Sequence, residues 1–231
     1  MVALFVILTI VVCVGVDGIV QFRKARKERA SRRIADGIAP ISALTNLAAP
    51  ANLFFDGGHT WVEVNPSGTA TIGVDSLAQK LIGRIDDIVL PEVGKEIKRG
   101  DMLFAVKQNN HRAAFASPVD GTITMIDKEL RWHPEMMEGD PYKEGWVCAI
   151  KPRNLSQNLK QLFAADEATK WLKSEAQRFQ DFFAAQAMDN LQLGHVMQDG
   201  GELAGGVLEF ADDGTWEGFN ELFLRPQPRA S

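Results

Sequence analysis

The sequence predicts an α+β protein in three parts: an N-terminal transmembrane helix, a small antiparallel β-sandwich or flattened barrel, and a C-terminal helical extension. Three observations predict it. Met1 to Val16, "MVALFVILTIVVCVGV", carries no charge, and a dense basic run begins soon after it. From His59 onward, short runs of strand-forming residues recur between turn signals, the pattern of small all-β domains. Beyond Asn154 the apolar period becomes helical.

The N-terminal stretch is read as a membrane anchor over residues 1–22. As a helix, about 22 residues at ~1.5 Å each span roughly 33 Å, close to the thickness of a hydrocarbon core. A cleaved signal peptide fits less well, because no basic residue precedes the apolar stretch and no small-x-small site follows it. Seven of the 25 basic residues fall between Arg23 and Arg33. Basic residues collect on the cytoplasmic side, so this run predicts a single-pass protein of the inner membrane with its N-terminus outside and its body in the cytoplasm. Asp17 lies within the span and is a candidate contact for a partner helix, although it is near enough to the basic end to reach the interface.

Residues 23–58 are read as a basic juxtamembrane segment and an apolar, proline-interrupted linker, in which Leu53, Phe54 and Phe55 dock on the domain or on a neighbouring subunit. The β-domain is placed at 59–153, with strands in "HTWVEVN", "GTATIGV", "GRIDDIVLP", "DMLFAVK" and "SPVDGTITMID". A short helix in "DSLAQKL" is capped by Asp75. The extension, 154–231, opens with Asn154 or Ser156 as cap. In its long helix Leu172, Ala176, Phe179 and Phe183 share a stripe that Phe182 widens. A last helix, capped by Asp213, places Trp216, Phe219, Leu222 and Phe223 on one face.

Composition narrows the function. Only two of the 30 acidic residues precede position 34, so the body is strongly acidic and offers nothing that tracks a phosphate backbone; nucleic acid is not an expected partner. Cys13 and Cys148 form neither a disulfide framework nor a metal spacing, and the four histidines never sit with a second ligand at metal spacing. The acidic loop of Glu135, Glu138 and Asp140 reads as a solvated turn, and the glycines at 199–206 fit no phosphate-binding pattern. No nucleophile-and-base set is visible.

"HTWVEV", "GTATIGVDSLAQKLIGRIDDIVLPEVGKEIKRGD", "SPVDGTI" and "DPYKEGWVCAIKP" together resemble the H protein of the glycine cleavage system, a member of the lipoyl/biotinyl domain superfamily. The resemblance implies two small antiparallel sheets and a hairpin whose tip lysine carries lipoate through an amide. Laid onto this chain without a gap from "LPEVG" to "SPVDG", the pattern puts that lysine at Asn110, whose carboxamide cannot form the amide. The glutamate three residues earlier becomes Lys107, and the alanines after the lysine become His111 and Arg112, so an acidic lip is expected to have become a basic one.

The expected function is therefore that of a non-catalytic, non-lipoylated structural or assembly subunit of a membrane complex, of a respiratory or other electron-transfer kind, with no cofactor and no metal. Its partners are the bilayer, through residues 1–22, and other subunits, through Asp17, Phe182, Phe183, Trp216, Phe219 and Phe223. Two rival readings stand beside it: a tethered carrier modified at a displaced site such as Lys107, and an adaptor recruiting soluble enzymes to the membrane.

Overall fold

Two antiparallel sheets hold the β-region of the chain. The computed structural model describes residues 47–187 and 205–225; the expected membrane span, Asp17 and Cys13 lie outside the described residues. Among the described residues no helix is long and apolar enough to cross a membrane. The strands are β1 (Leu53–Phe55), β2 (Thr60–Val64), β3 (Ala70–Val74), β4 (Asp87–Val89), β5 (Glu96–Ile97), β6 (Met102–Gln108), β7 (His111–Ala116), β8 (Gly121–Ile126), β9 (Trp146–Pro152) and β10 (Phe163–Ala164). One sheet has the order β10-β1-β2-β3-β9-β8-β5 and the other β4-β6-β7.

The core between them is built from residues such as Ile72, Phe104, Phe115 and Ile150, all essentially inaccessible to solvent. Trp61 is buried on the opposite face of its sheet, against Tyr142, and its packing fixes one glycine. Trp61 lies opposite Gly73 across the β2–β3 ladder, and a Cβ on Gly73 would come within 2.6 Å of the indole, so only glycine fits beneath the ring.

Helix α1 (Ser76–Ile82) begins as expected, with the Asp75 carboxylate accepting from the Leu77 and Ala78 N–H groups. Two short helices, α2 (Met136–Gly139) and α3 (Leu155–Leu159), flank β9, and the long helix α4 (Ala165–Ala187) follows β10. The last helix, α5 (Asp213–Phe223), is capped by Asp212 rather than Asp213; the Asp212 carboxylate accepts from the Thr215 N–H at 2.8 Å.

The boundaries expected from sequence shift at both ends of the domain. Leu53–Phe55, placed in the linker, is strand β1, which pairs with β2 on one side and with β10 on the other. Phe163–Ala164, placed in a helix, is that β10. Two short runs with no alternation of their own become strands because each supplies the other's missing ladder partner.

The aromatic stripes expected to bind partner subunits are buried within the chain. Phe179 and Phe223 stack with ring centroids 4.0 Å apart, Phe219 lies 5.7 Å from Phe179, and Phe182 meets Phe223 edge-on at 5.5 Å. Phe183, Trp216, Phe219 and Phe223 are all buried, and Phe182 is half-buried. The two stripes face each other, so each removes most of the other's apolar surface from water, while Leu222, read from sequence as part of the second stripe, is exposed. Gly218 permits the approach, since a Cβ there would press on the Phe182 ring at 3.0 Å.

Candidate functional site: the β6–β7 hairpin tip

Asn109 and Asn110 form the two-residue turn that joins β6 to β7, closed by the Gln108–His111 pair. Asn109 has φ = 53°, the left-handed region that asparagine tolerates better than most residues and that a tight hairpin of this kind requires at its first turn position. Asn110 is solvent-exposed at the tip.

Both flanks of this tip are fastened. On one side, the Asn109 N–H donates to Asp86 Oδ2 at 2.7 Å, and the buried Gln108 side chain donates to the Ile82 and Arg84 carbonyls at the end of α1. On the other side, helix α5 runs along β7. The His111 ring stacks on Trp216 with centroids 5.1 Å apart and planes within 5°. Asn220 accepts from the Ala114 N–H and donates to the Arg112 carbonyl, satisfying backbone groups at the open edge of the sheet.

The expected basic lip is only partly present. Lys107 lies within β6, opposite Asp87 on one neighbour and Arg112 on the other. Its Nζ is 2.8 Å from Asp87 Oδ2, and this hydrogen bond holds the Asp87 carboxyl below the usual carboxylate range. Arg84 pairs in the same way with Asp86 at 2.6 Å. Reading along one strand cannot see Asp87 beside Lys107, because it arrives from β4 across the ladder.

A second buried polar cluster lies under α4. His59, at the turn into β2, places Nδ1 2.8 Å from Asp75 Oδ2 and Nε2 3.7 Å from Glu175 Oε2, between the rings of Trp171 and Phe179. Burial alone would lower the imidazole pKa, but Asp75 and Glu175 together outweigh it and raise it to about 9. Glu175 is in turn held low: burial opposes its charge, but His59 and Arg178 favour it more strongly. The sequence analysis, which found no second ligand near any histidine, missed this cluster; the signal available was the helix cap Asp75, 16 positions later. Asp56, also buried, is paired with Arg99 at 2.6 Å, although burial raises its pKa despite that partner.

Neither cluster forms a metal site among the described residues. Glu138, singled out in the acidic loop, instead accepts from the Ile85 N–H. Burial pushes the Cys148 thiol up to about 12, which keeps it protonated in the core.

Residues 53–175, more than half of the chain, match the glycine cleavage H-protein family. The chain belongs to the H-protein family. Among the relatives, a probable glycine cleavage system H protein of Pyrococcus abyssi is 38% identical over 122 residues, covering 53% of this chain and 90% of that protein. Glycine cleavage system H protein 2 of Aquifex aeolicus is 30% identical over 130 residues, covering 56% of this chain and 81% of the relative. A solved glycine cleavage system H protein from Mycobacterium marinum covers 52% of this chain and 95% of its own, at 21% identity and a TM-score of 0.46. The family match runs from β1 through the first half of α4. It thus includes the β1 and β10 strands placed outside the β-domain from sequence, but not α5, which packs along the hairpin.

Proposed function

We propose that this H-protein-family chain is a non-catalytic structural subunit of a membrane complex, tethered through residues 1–22, and that it carries no lipoate. One observation carries the reading: the exposed tip residue of the hairpin is Asn110. Lipoate attaches to a lysine amine, and a carboxamide supplies none, so the residues at the tip do not fit the group. Lys107 is no substitute. It sits three positions back, inside the ladder, with its ammonium engaged by Asp87.

The fastening of the tip supports the same reading. Asp86, Gln108, Trp216 and Asn220 tie the hairpin to two helices and a strand connection. A pre-formed, rigid surface is what a structural subunit offers a neighbour.

Mass spectrometry of the full-length protein purified from its own membranes tests the reading. The expected intact mass is that of the unmodified chain, and on a native gel in mild detergent the chain migrates with other subunits. Lipoate on Lys107, or migration alone at monomer size, overturns it.

A further inference from the structure

We propose that the outer face of the β4-β6-β7 sheet, together with Trp132 beside it, docks an acidic segment of a partner protein. The proposal rests on the reading of the chain as a complex subunit and names the chemistry of one of its contacts.

Trp132 is the starting observation. It is 81% exposed, whereas the other large exposed apolar residues among the described ones range from 47% to 56%. An indole left in water forgoes a large burial energy, and tryptophan is the side chain most enriched among residues that dominate protein interfaces.

Its surroundings define what it would meet. The 3-10 turn Glu129–Arg131, which leads into Trp132, packs against β4, and Arg131 is close enough to Asp87 for its charge to act on that carboxyl. Asp87, Lys107 and Arg112 lie directly opposite one another across the three strands, so their side chains emerge on the same face. At the far end of this row the Arg112 guanidinium rests on the sulfur of Met102, itself 52% exposed. Lys107 and Arg112 in the row, with Arg131 beside it, therefore set three cations against the one carboxylate of the row, Asp87, between an exposed tryptophan and an exposed methionine. Arginine, tryptophan and methionine are the types enriched in interfaces.

Charge selects the occupant. The chain beyond its basic N-terminal run is strongly acidic, so an acidic segment is repelled over most of the surface and attracted here, where long-range steering and local pairing agree. The Lys107–Asp87 pair is about half-exposed, and such surface pairs hold weakly, so an incoming carboxylate can share or replace Asp87. An anionic bilayer fits less well, because a flat surface cannot reach the row without also meeting Glu129 and Glu135, both exposed beside Trp132, whereas a single segment can set its carboxylates on the row and pass those two by.

A photoreactive benzoylphenylalanine at position 132 of the full-length chain, irradiated in native membranes, tests this. The expected result is a cross-link to a peptide rich in Asp and Glu, identified by mass spectrometry. Arg112→Glu and Arg131→Glu should each lower its yield at least tenfold, and Lys151→Glu, in the other sheet, should leave it unchanged. A cross-link to lipid, to a peptide without acidic residues, or one insensitive to the two charge reversals overturns the proposal. If the complex co-purifies intact and position 132 cross-links to nothing, the docking face is wrong while the subunit reading stands. If the chain migrates alone, both fall.

Discussion

The side-chain amide of Asn220 meets strand β7 as a residue of a parallel neighbouring strand would, accepting from the Ala114 N–H at 3.1 Å and donating to the Arg112 carbonyl at 2.9 Å. Ala113, between them, turns its own backbone groups toward β6. A helix thereby closes the open edge of the sheet with one side chain. Asn220→Ala removes both bonds, and a destabilisation of about 1–2 kcal/mol is expected from denaturant titration. Amide exchange at Ala114 should accelerate at least tenfold while Val106, on β6, keeps its protection. Unchanged exchange at Ala114 would show that the amide is not what guards the edge.

The His59 cluster predicts a pH dependence of definite sign. Its folded pKa, about 9, lies above the unfolded value of about 6.5, so the charged imidazole stabilises the fold fully below about pH 6.5 and loses that contribution as pH rises through about 9. The contribution is on the order of 3 kcal/mol. Denaturant midpoints measured from about pH 6 to 10 should fall across this window, and His59→Gln should flatten the fall. A wild-type curve parallel to that of the variant would remove His59 as the cause.

The buried aromatic pair predicts which residues matter to the isolated chain. Phe223 stacks on Phe179 and lies under the Arg178 guanidinium, 4.5 Å from the ring centroid. Phe223→Ala should cost about 3–5 kcal/mol in the purified protein without any partner. Half-buried Phe182 should cost less, about 1–2 kcal/mol. If Phe223→Ala leaves the isolated protein as stable as before and weakens only its association, the ring serves an interface after all.

The membrane anchor is testable without any structure of it. Alkaline carbonate should leave the full-length chain in the membrane fraction, and removal of residues 1–22 should release it to the supernatant. Protease added to inverted vesicles should digest the domain, whereas protease added to intact cells should spare it. Digestion in intact cells would reverse the orientation.

Five of the ten described strands and the Asp75 cap were legible in the chain because they rest on local rules, and the place of Asn110 followed from the family resemblance. Alternation marks a strand, and a short polar side chain before an apolar helical run marks a cap. The strands β1 and β10 were not legible, since each is too short to show alternation and exists through its ladder partners, β2 and β10 for the first and β1 for the second. The acids facing Lys107 were hidden for a related reason: Asp87 lies 20 positions away and meets the lysine only across a ladder.

Sequence alone determined that residues 165–187 and 213–223 carry apolar faces, because helical period depends only on spacing. Tertiary structure decided what those faces touch. Period is a property of one element, whereas burial is a property of two, and the chain brought Phe179 and Phe223 together where either could have met a partner. The same reason separates Asn220, an unremarkable polar residue on a helix, from its role as the closing group of a sheet. No local pattern encodes a contact made 106 residues away, and only the folded chain places that amide against Ala114.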